Sequence, residues 1–333
     1  MYKVGLLYNK PKDIAEEEKE LDPRSYRQPE IIANQIKEAL EDRGHEVTMI
    51  PASLNLLSDI KEAGDFDVIF NSCVGINNKK EQANIVGMLE LLETPFVGSK
   101  LRTQVTSLSK EYAKAAFRAA GVPVSPFQTF YSVDTPLDED MEFPLFVKPV
   151  REGSAVGITN ESLVENEEEL KEQVQSILED FEQPALVEGY LPGREFSVGV
   201  LGTENPEVLP ILEILVPEED YGSTIQTVDV KADNAVTRDV PADISDDLKE
   251  EIEEYVLKAY NALGCSEYAR VDVKLDENGT PNVIELNALP ALEWGYAHYP
   301  LMAEVAGYDF GELAEKLIEE AISAWDKKST TNS

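Results

Sequence analysis

The stretch that most constrains this 333-residue chain runs from Arg270 to Asn287: Arg-Val-Asp-Val-Lys-Leu-Asp-Glu-Asn-Gly-Thr-Pro-Asn-Val-Ile-Glu-Leu-Asn. Two runs of alternating apolar residues flank the turn signal Asp276-Glu-Asn-Gly279, so the spacing predicts an antiparallel hairpin. With an even-numbered loop, opposed positions sum to an odd number, and Arg270, Asp272, Glu285 and Asn287 share one face. A polar strand face can be no more than the solvated side of a half-buried sheet. Here, however, Glu285 and Asn287 sit among Val283, Ile284, Leu286, Ala288 and Leu289, a run that reads as buried. Buried carboxylates need a cation or hydrogen-bond donors. Two carboxylates and an amide oxygen suit magnesium, a hard cation that takes few protein ligands and completes its octahedron with water and phosphate. The hairpin reads as a platform for a magnesium-bound nucleotide.

The chain is long enough for two or three domains with full cores. Its 65 acidic residues against 29 basic ones give a net charge of −36, which disfavours nucleic acid or an anionic membrane as a partner. The acidic residues are spread along the chain, as in 16–20, 167–172 and 246–254. They read as solvated helix faces, of the kind expected in a salt-rich cytoplasm where screening removes self-repulsion. Cys73 and Cys265 lack metal-ligand spacing, and packing in a reducing compartment is their expected role. The apolar run in Met1–Asn9 is too short for a signal peptide or a membrane span, so a cytoplasmic protein is expected.

Residues 2–8 read as a buried strand. Residues 30–43 read as an amphipathic helix, with Ile31, Ile32, Ile36 and Leu40 on one face and Gly44 ending it. Short apolar strands at 46–50 and 67–71 and a helix at 81–92 continue the alternation, which predicts a parallel sheet covered by helices. The charged stretch 9–28, with two prolines, is expected to be a loop, either shaping a pocket at the carboxyl end of the first strand or simply solvated. Farther on come a helix at 110–121 and a strand at 143–150 that delivers Lys148. The turn with Gly153 and Gly157 that follows suits anion approach by backbone N–H groups, although two-glycine turns also occur in ordinary hairpins. A helix at 167–180, a strand at 184–190, a long polar loop at 217–241 that reads as a lid, and a helix at 246–263 precede the hairpin. Residues 310–325 form an amphipathic helix, and 327–333 a tail without structure. The expected domains are 1–98, 99–187 and 188–333.

Taken in order, Lys110, the run Lys148-Pro-Val-Arg-Glu-Gly-Ser-Ala-Val-Gly157, Glu188, Gly193-Arg-Glu195, Arg270-Val-Asp272 and Glu285-Leu-Asn-Ala-Leu-Pro290 resemble the ATP-grasp superfamily. Within it, residues 95–321 resemble the D-alanine:D-alanine ligases. The resemblance implies a fold of mixed α/β and α+β class. Two α+β subdomains clamp ATP, and an N-terminal parallel-sheet, Rossmann-like domain helps bind amino acids. It implies an ATP-dependent carboxylate–amine ligase that forms a peptide or amide bond through an acyl phosphate. By the same resemblance Lys110 and Lys148 contact ATP phosphates, and the loop of Glu152, Gly153, Ser154 and Gly157 closes over them. Glu188 lies near the adenine and Glu195 near the ribose hydroxyls. Lys231, in the lid, reaches the γ-phosphate. Asp272, Glu285 and Asn287 hold two magnesium ions, for which manganese can substitute, and Arg270 stabilises the oxyanion of the tetrahedral intermediate. Arg270, Lys231 and Ser154 are the implied catalytic set. Small-molecule amino acids or amines are the implied substrates, and a homodimer is expected because the related ligases are commonly dimers.

The sequence departs from that family where amino acids bind. Tyr8-Asn-Lys-Pro-Lys12 stands in place of a Gly-Gly-x-Ser-x-Glu-like start, and Cys73 to Glu81 in place of a His-Gly-x-x-Gly-Glu-Asp-Gly-like loop, with only Glu81 retained. Ala232 replaces a lid tyrosine and Ala297 the serine that binds the second substrate's carboxylate. Glu293 and Trp294 add negative charge or bulk. The expected acceptor is therefore amine-rich or larger rather than D-alanine. Two competing readings are a true D-alanine:D-alanine ligase of peptidoglycan precursor synthesis and an ATP-binding protein that no longer ligates. Arg270 beside all three metal ligands speaks against the second. His298 reads as a packing or surface histidine, and Tyr296, Tyr299 and Trp294 as pocket walls or core.

Overall fold

The structure, a computed structural model, describes residues 1–10, 23–76, 82–153, 155–216 and 237–331. Strands β1 (Lys3–Tyr8), β2 (Glu46–Pro51), β3 (Val68–Asn71) and β4 (Phe96–Val97) form a parallel sheet in the order β2-β1-β3-β4. Helices α1 (Pro23–Asp42), α2 (Leu56–Ala63) and α3 (Gln82–Leu89) connect them. Helix α1 starts at Pro23 rather than at Glu30, so the end of the stretch expected to be a loop is helical. Proline suits a first helical position because its φ is already helical and its missing N–H would have no partner there. Ile32, Ala33, Ile36 and Leu40 of α1 bury against Val4, Leu6 and Phe70 of the sheet.

Helices α4 (Leu101–Leu108) and α5 (Lys110–Ala119) lead to a second, antiparallel sheet. Its strands are β5 (Phe127–Phe130), β6 (Leu145–Pro149), β7 (Leu163–Val164) and β8 (Ala185–Gly189), in the order β5-β8-β6-β7. Helix α6 (Glu167–Asp180) covers one side. The Asn166 side chain accepts the N–H groups of Glu168 and Glu169 at its start, and three glutamates in the first turn complement the helix dipole.

The third sheet is antiparallel in the order β12-β11-β9-β13-β14, with β10 (Glu207–Val208) on β9. Its other strands are β9 (Glu195–Leu201), β11 (Leu212–Leu215), β12 (Thr237–Asp239), β13 (Tyr268–Leu275) and β14 (Pro281–Asn287). Phe196, Val198, Val200, Val271, Val273 and Val283 pack under α7 (Asp246–Leu263) and α5, which leaves the opposite face for polar groups. Helix α8 (His298–Val305) follows the hairpin, and α9 (Phe310–Thr331) closes the chain. Helix α9 runs on to Thr331, into the tail expected to lack structure, and its Leu313, Leu317 and Ile318 join the core of α1 and the first sheet. Among the described residues no helix is long and apolar enough to cross a membrane.

In the hairpin Leu275 pairs with Pro281, so the loop 276–280 is odd-numbered, contrary to the even loop that the shared face required. An uninterrupted ladder would set Ile284 opposite Asp272 and turn Glu285 away. Instead the register shifts between Asp272 and Val273, with Ile284 as the extra residue, and Arg270 faces Asn287 while Asp272 faces Glu285. The four polar groups do share a face, and a β-bulge puts them there.

Candidate active site

Strand register assembles one polar face across the third sheet. Asp272 lies beside Ser197 and Lys274 beside Glu195 on β9. Glu195 pairs with Ile214 on β11, which pairs with Arg238 on β12. From the second sheet, β6 contributes Phe146 and Lys148, and β8 contributes Glu188 opposite Phe146. The two sheets enclose a cavity of about 740 Å³ lined from both sides.

On the hairpin, Arg270 grips Asp272 with two hydrogen bonds, Nε to Oδ1 at 2.9 Å and Nη2 to Oδ2 at 2.7 Å. Asn287 Nδ2 donates to Asp272 Oδ2 and to Glu285 Oε1, both at 3.2 Å, and Ser197 Oγ donates to Asp272 Oδ1 at 2.6 Å. Burial alone pushes the Glu285 carboxyl up, but Lys110 at 3.8 Å, Arg270 and Lys148 outweigh it and hold the group at about 2. Burial disfavours the Arg270 cation, yet Asp272 outweighs this and carries its pKa above the ordinary value. Among the described residues no group of three His, Cys, Asp or Glu could hold a metal. The donor set here is two carboxylates and an amide, converging within hydrogen-bond reach. Turning the Asn287 amide over would present its oxygen beside them, which fits an oxygen-seeking divalent cation.

At the other jaw, Glu188 is buried between two lysines, Lys148 Nζ at 2.5 Å and Lys114 Nζ at 3.0 Å. Burial pushes its carboxyl up, and Lys114 and Lys148 more than offset this, bringing it to about 2. Lys114 carries no motif of its own. Its signal was a position four residues after Lys110 on the helix side that buries Ala113 and Phe117. Lys110 Nζ donates to the carbonyl of Glu152, whose carboxylate accepts from Gln183 Nε2 at 3.0 Å. Burial draws Lys110 below its ordinary value, partly opposed by Glu285.

The two glycines expected to approach phosphate differ from each other. A Cβ at Gly153 would meet open space, whereas at Gly157 (φ +77°) it would fall 2.6 Å from Pro149 Cγ and 2.9 Å from Phe181 Cζ. Gly157 is required by backbone conformation and packing, and only Gly153 leaves room for a ligand. Glu195 Oε2 lies 3.4 Å from Lys274 Nζ. Ser154, Lys231, Ala232, Glu81 and most of the expected lid (217–236) lie outside the described residues.

The end of the cavity expected to take the amino acids differs most from expectation. Glu293 is 4% exposed and accepts Gln28 Nε2 at 2.9 Å, and it is Gln28 that reaches the cavity wall. Glu293 therefore stands behind the cavity wall and does not line it. Trp294 donates its backbone N–H to Gln35 on α1 at 3.0 Å and packs its ring on Phe310 of α9, so it belongs to the core. Tyr299 is also core: it packs where Gly199 lacks a side chain and donates to the carbonyl of Val200 at 3.0 Å. That seat fixes the start of α8 above β9. His298 consequently lines the cavity with Nδ1 3.3 Å from Ser197 Oγ, joined through that hydroxyl to Asp272, where a packing or surface role had been expected. Tyr296 and Ala297 line the cavity beside it, and Arg238 Nη1 donates to the Tyr296 carbonyl at 2.8 Å. Arg238 escaped sequence reasoning because it falls inside the stretch 217–241 expected to be a loop, where a lone arginine carries no motif, whereas Thr237–Asp239 form strand β12.

A clamp with an acidic, arginine-bearing face on one jaw and buried lysines on the other defines the ATP-grasp class of ATP-dependent ligases. Residues 116–319 match the family model for the D-ala D-ala ligase C-terminus. A D-alanine–D-alanine ligase of Acetivibrio thermocellus is 30% identical over 283 residues, covering 82% of this chain and 72% of that protein. An uncharacterized protein of Sinorhizobium fredii, y4sG, is 30% identical over 299 residues, 87% of each chain. The crystal structure of D-alanine–D-alanine ligase from Bacillus anthracis complexed with ATP superposes with a TM-score of 0.76 at 21% identity, covering 98% of this chain and 100% of that one. The chain belongs to the D-alanine–D-alanine ligase family, and with it to the ATP-dependent ligases that form carbon–nitrogen bonds.

Proposed function

We propose that the protein activates the carboxylate of a small amino acid with ATP and passes the acyl group to the amine of a second substrate. The observation that carries this reading is the bulged hairpin, which sets Arg270, Asp272, Glu285 and Asn287 on one cavity face opposite Lys148. Lys110 and Lys148 neutralise the ATP phosphates, and Glu195 takes the ribose. The donor carboxylate attacks the γ-phosphorus, ADP leaves, and an acyl phosphate results. The amine then adds to its carbonyl, Arg270 faces the resulting oxyanion, and phosphate departs. Asp272, Glu285 and Asn287 would hold magnesium, which supplies charge neutralisation at the transferring phosphoryl group. Ser154 and Lys231 belong to the same proposal, as loop and lid contacts to the phosphates. So do the division at 98 and 187, a homodimer and a cytoplasmic location.

The acceptor pocket is proposed to be rebuilt relative to the family, with Ala297 and Arg238 where the resemblance leads one to expect a serine hydroxyl. The test is an ATP-dependent phosphate-release screen over pairs of amino acids and amines, with products identified by mass. Robust D-alanyl-D-alanine synthesis at ordinary substrate levels would return the protein to the parent activity. Tight ATP binding with no release from any pair would leave a nucleotide-binding protein.

A further inference from the structure

Three arginines on the third sheet can be compared directly. Arg194 holds Glu213 with Nε and Nη2, both at 2.6 Å, on the face away from the cavity. Arg270 holds Asp272 with the same two nitrogens. Arg238 presents the same edge to no carboxylate among the described residues. Its contacts are the Nη1 hydrogen bond to the Tyr296 carbonyl and the Tyr296 ring, whose centroid is 5.3 Å away. Its Nε is shielded from solvent yet makes no hydrogen bond. In a chain with 65 acidic residues against 29 basic ones, a half-buried guanidinium with no acid among the described residues is conspicuous. The other cations of the cavity wall do not share this state: Lys110, Lys148, Arg270 and Lys274 each lie by a carboxylate, and Arg151 is exposed.

The register that pairs Arg238 with Ile214, and Ile214 with Glu195, places Arg238 on the cavity face. Its anchor, Tyr296, adjoins Ala297, the position where a carboxylate-binding serine is missing. The Nε–Nη2 edge of a guanidinium matches two carboxylate oxygens in parallel, with more charge and more geometric selectivity than one hydroxyl. Ile32, Ile214 and Leu292 line the same cavity and belong to one apolar cluster.

We infer that Arg238 is the carboxylate clamp of the acceptor site, and that the acceptor is an amine bearing a carboxylate on an otherwise apolar body. This rests on the ligase reading above and reverses the amine-rich acceptor expected from the sequence. Glu293 sits behind Gln28 and does not line the cavity, which weakens the case its charge made for such an acceptor. The product is then a dipeptide-like acid that keeps a free terminal carboxylate.

The experiment compares each acceptor with its own amide, which keeps the amine and body but lacks the negative charge. D-Alanine and D-alaninamide are the first pair, with D-alanine as donor, followed by the acid and amide of any amino acid returned by the phosphate-release screen. The wild-type protein is expected to prefer the acid. Arg238→Gln is expected to cut kcat/KM for the acid about 10- to 100-fold, mainly through its KM, and to leave the amide much less affected, so that the preference collapses. Arg238→Lys is expected to recover part of it. A wild-type protein that uses amide and acid equally well overturns the inference whether or not the variants fold. So does an Arg238→Gln protein in which both acceptors fall together, the mark of a purely structural role at Tyr296. Hydroxylamine given to the wild-type protein in place of the acceptor tests the ligase reading separately. ATP-dependent hydroxamate with an unmoved acid-to-amide ratio overturns only the role of Arg238, and absence of hydroxamate overturns both.

Discussion

The two ends of the cavity handle charge in opposite ways. At the end proposed to take the nucleotide the charges are answered from within the protein: Glu188 sits between Lys114 and Lys148, Lys274 lies by Glu195, and Arg270 holds Asp272. At the end proposed to take the amino acids Arg238 faces no carboxylate among the described residues, and the walls include Ile32, Ile214 and Leu292. Internal pairing fixes side chains before the ligand arrives, which suits a ligand that never changes. An unanswered charge among apolar walls leaves the substrate to complete the site, so selectivity lies in what the substrate supplies. A lesion at the first end should therefore appear in stability and kcat, and a lesion at the second in acceptor KM.

The largest expected effect is on Glu188. Glu188→Gln leaves two buried ammonium groups without their carboxylate, at a cost of about 3–5 kcal/mol, read as the shift in a urea unfolding curve. The pH dependence follows from the same contacts. Folding lowers the Glu188 carboxyl from an ordinary 4.5 to about 2, so its stabilisation is full above the unfolded value and disappears as pH falls toward 2. Glu285 acts in the same window and direction. The wild-type protein should lose stability between those limits, and Glu188→Gln should lose less. Equal stability of the two proteins at neutral pH would remove the contrast between the ends.

Next is Arg270→Ala, expected to lower kcat for ligation about 10²- to 10³-fold, as loss of an oxyanion partner does. Product formation under saturating acceptor measures it. A change confined to acceptor KM would place Arg270 with Arg238 and dissolve the division.

The same division explains what the sequence could show. Apolar alternation made the strands and helices legible, and the ordered series from Lys110 to Asn287 pointed to the clamp because spacing along the chain carries over into register. The shared face of the hairpin was anticipated by the wrong route. An even loop was required, the loop is odd, and the bulge at Ile284 repairs the register through backbone geometry that leaves little trace in residue types. The amino-acid end was less legible because its members come from separate segments. Gln28, Arg238 and His298 meet only through α1, β12 and α8, and no local pattern records that Glu293 turns toward Gln28. Pro23 was read as a loop residue although it opens a helix, since proline marks both.

A smaller effect is expected from Gly157→Ala. The added methyl would meet Pro149 and Phe181 at contacts of 2.6–2.9 Å, in a backbone conformation with φ +77°. A loss of about 1–3 kcal/mol in unfolding free energy follows. Gly153→Ala, in open space, should leave stability nearly unchanged and instead weaken ATP binding if that space receives the phosphates. Isothermal titration of both variants with ATP separates the two roles. Equal loss of ATP affinity in the two would show that the turn acts as one unit.

The smallest effect belongs to Glu293, and it bears on how the acceptor end is understood. Its carboxylate is buried and accepts the Gln28 amide at 2.9 Å, outside the cavity wall. Glu293→Gln keeps the size of the side chain but sets one amide against another, which costs about 1 kcal/mol at the contact with Gln28. The acid-to-amide preference for acceptors should not move, because the charge removed is not one the substrate meets. If Glu293→Gln raises activity toward carboxylate-bearing acceptors, the glutamate does project its field into the pocket, and the amino-acid end would then be shaped by repulsion as well as by the charge of Arg238.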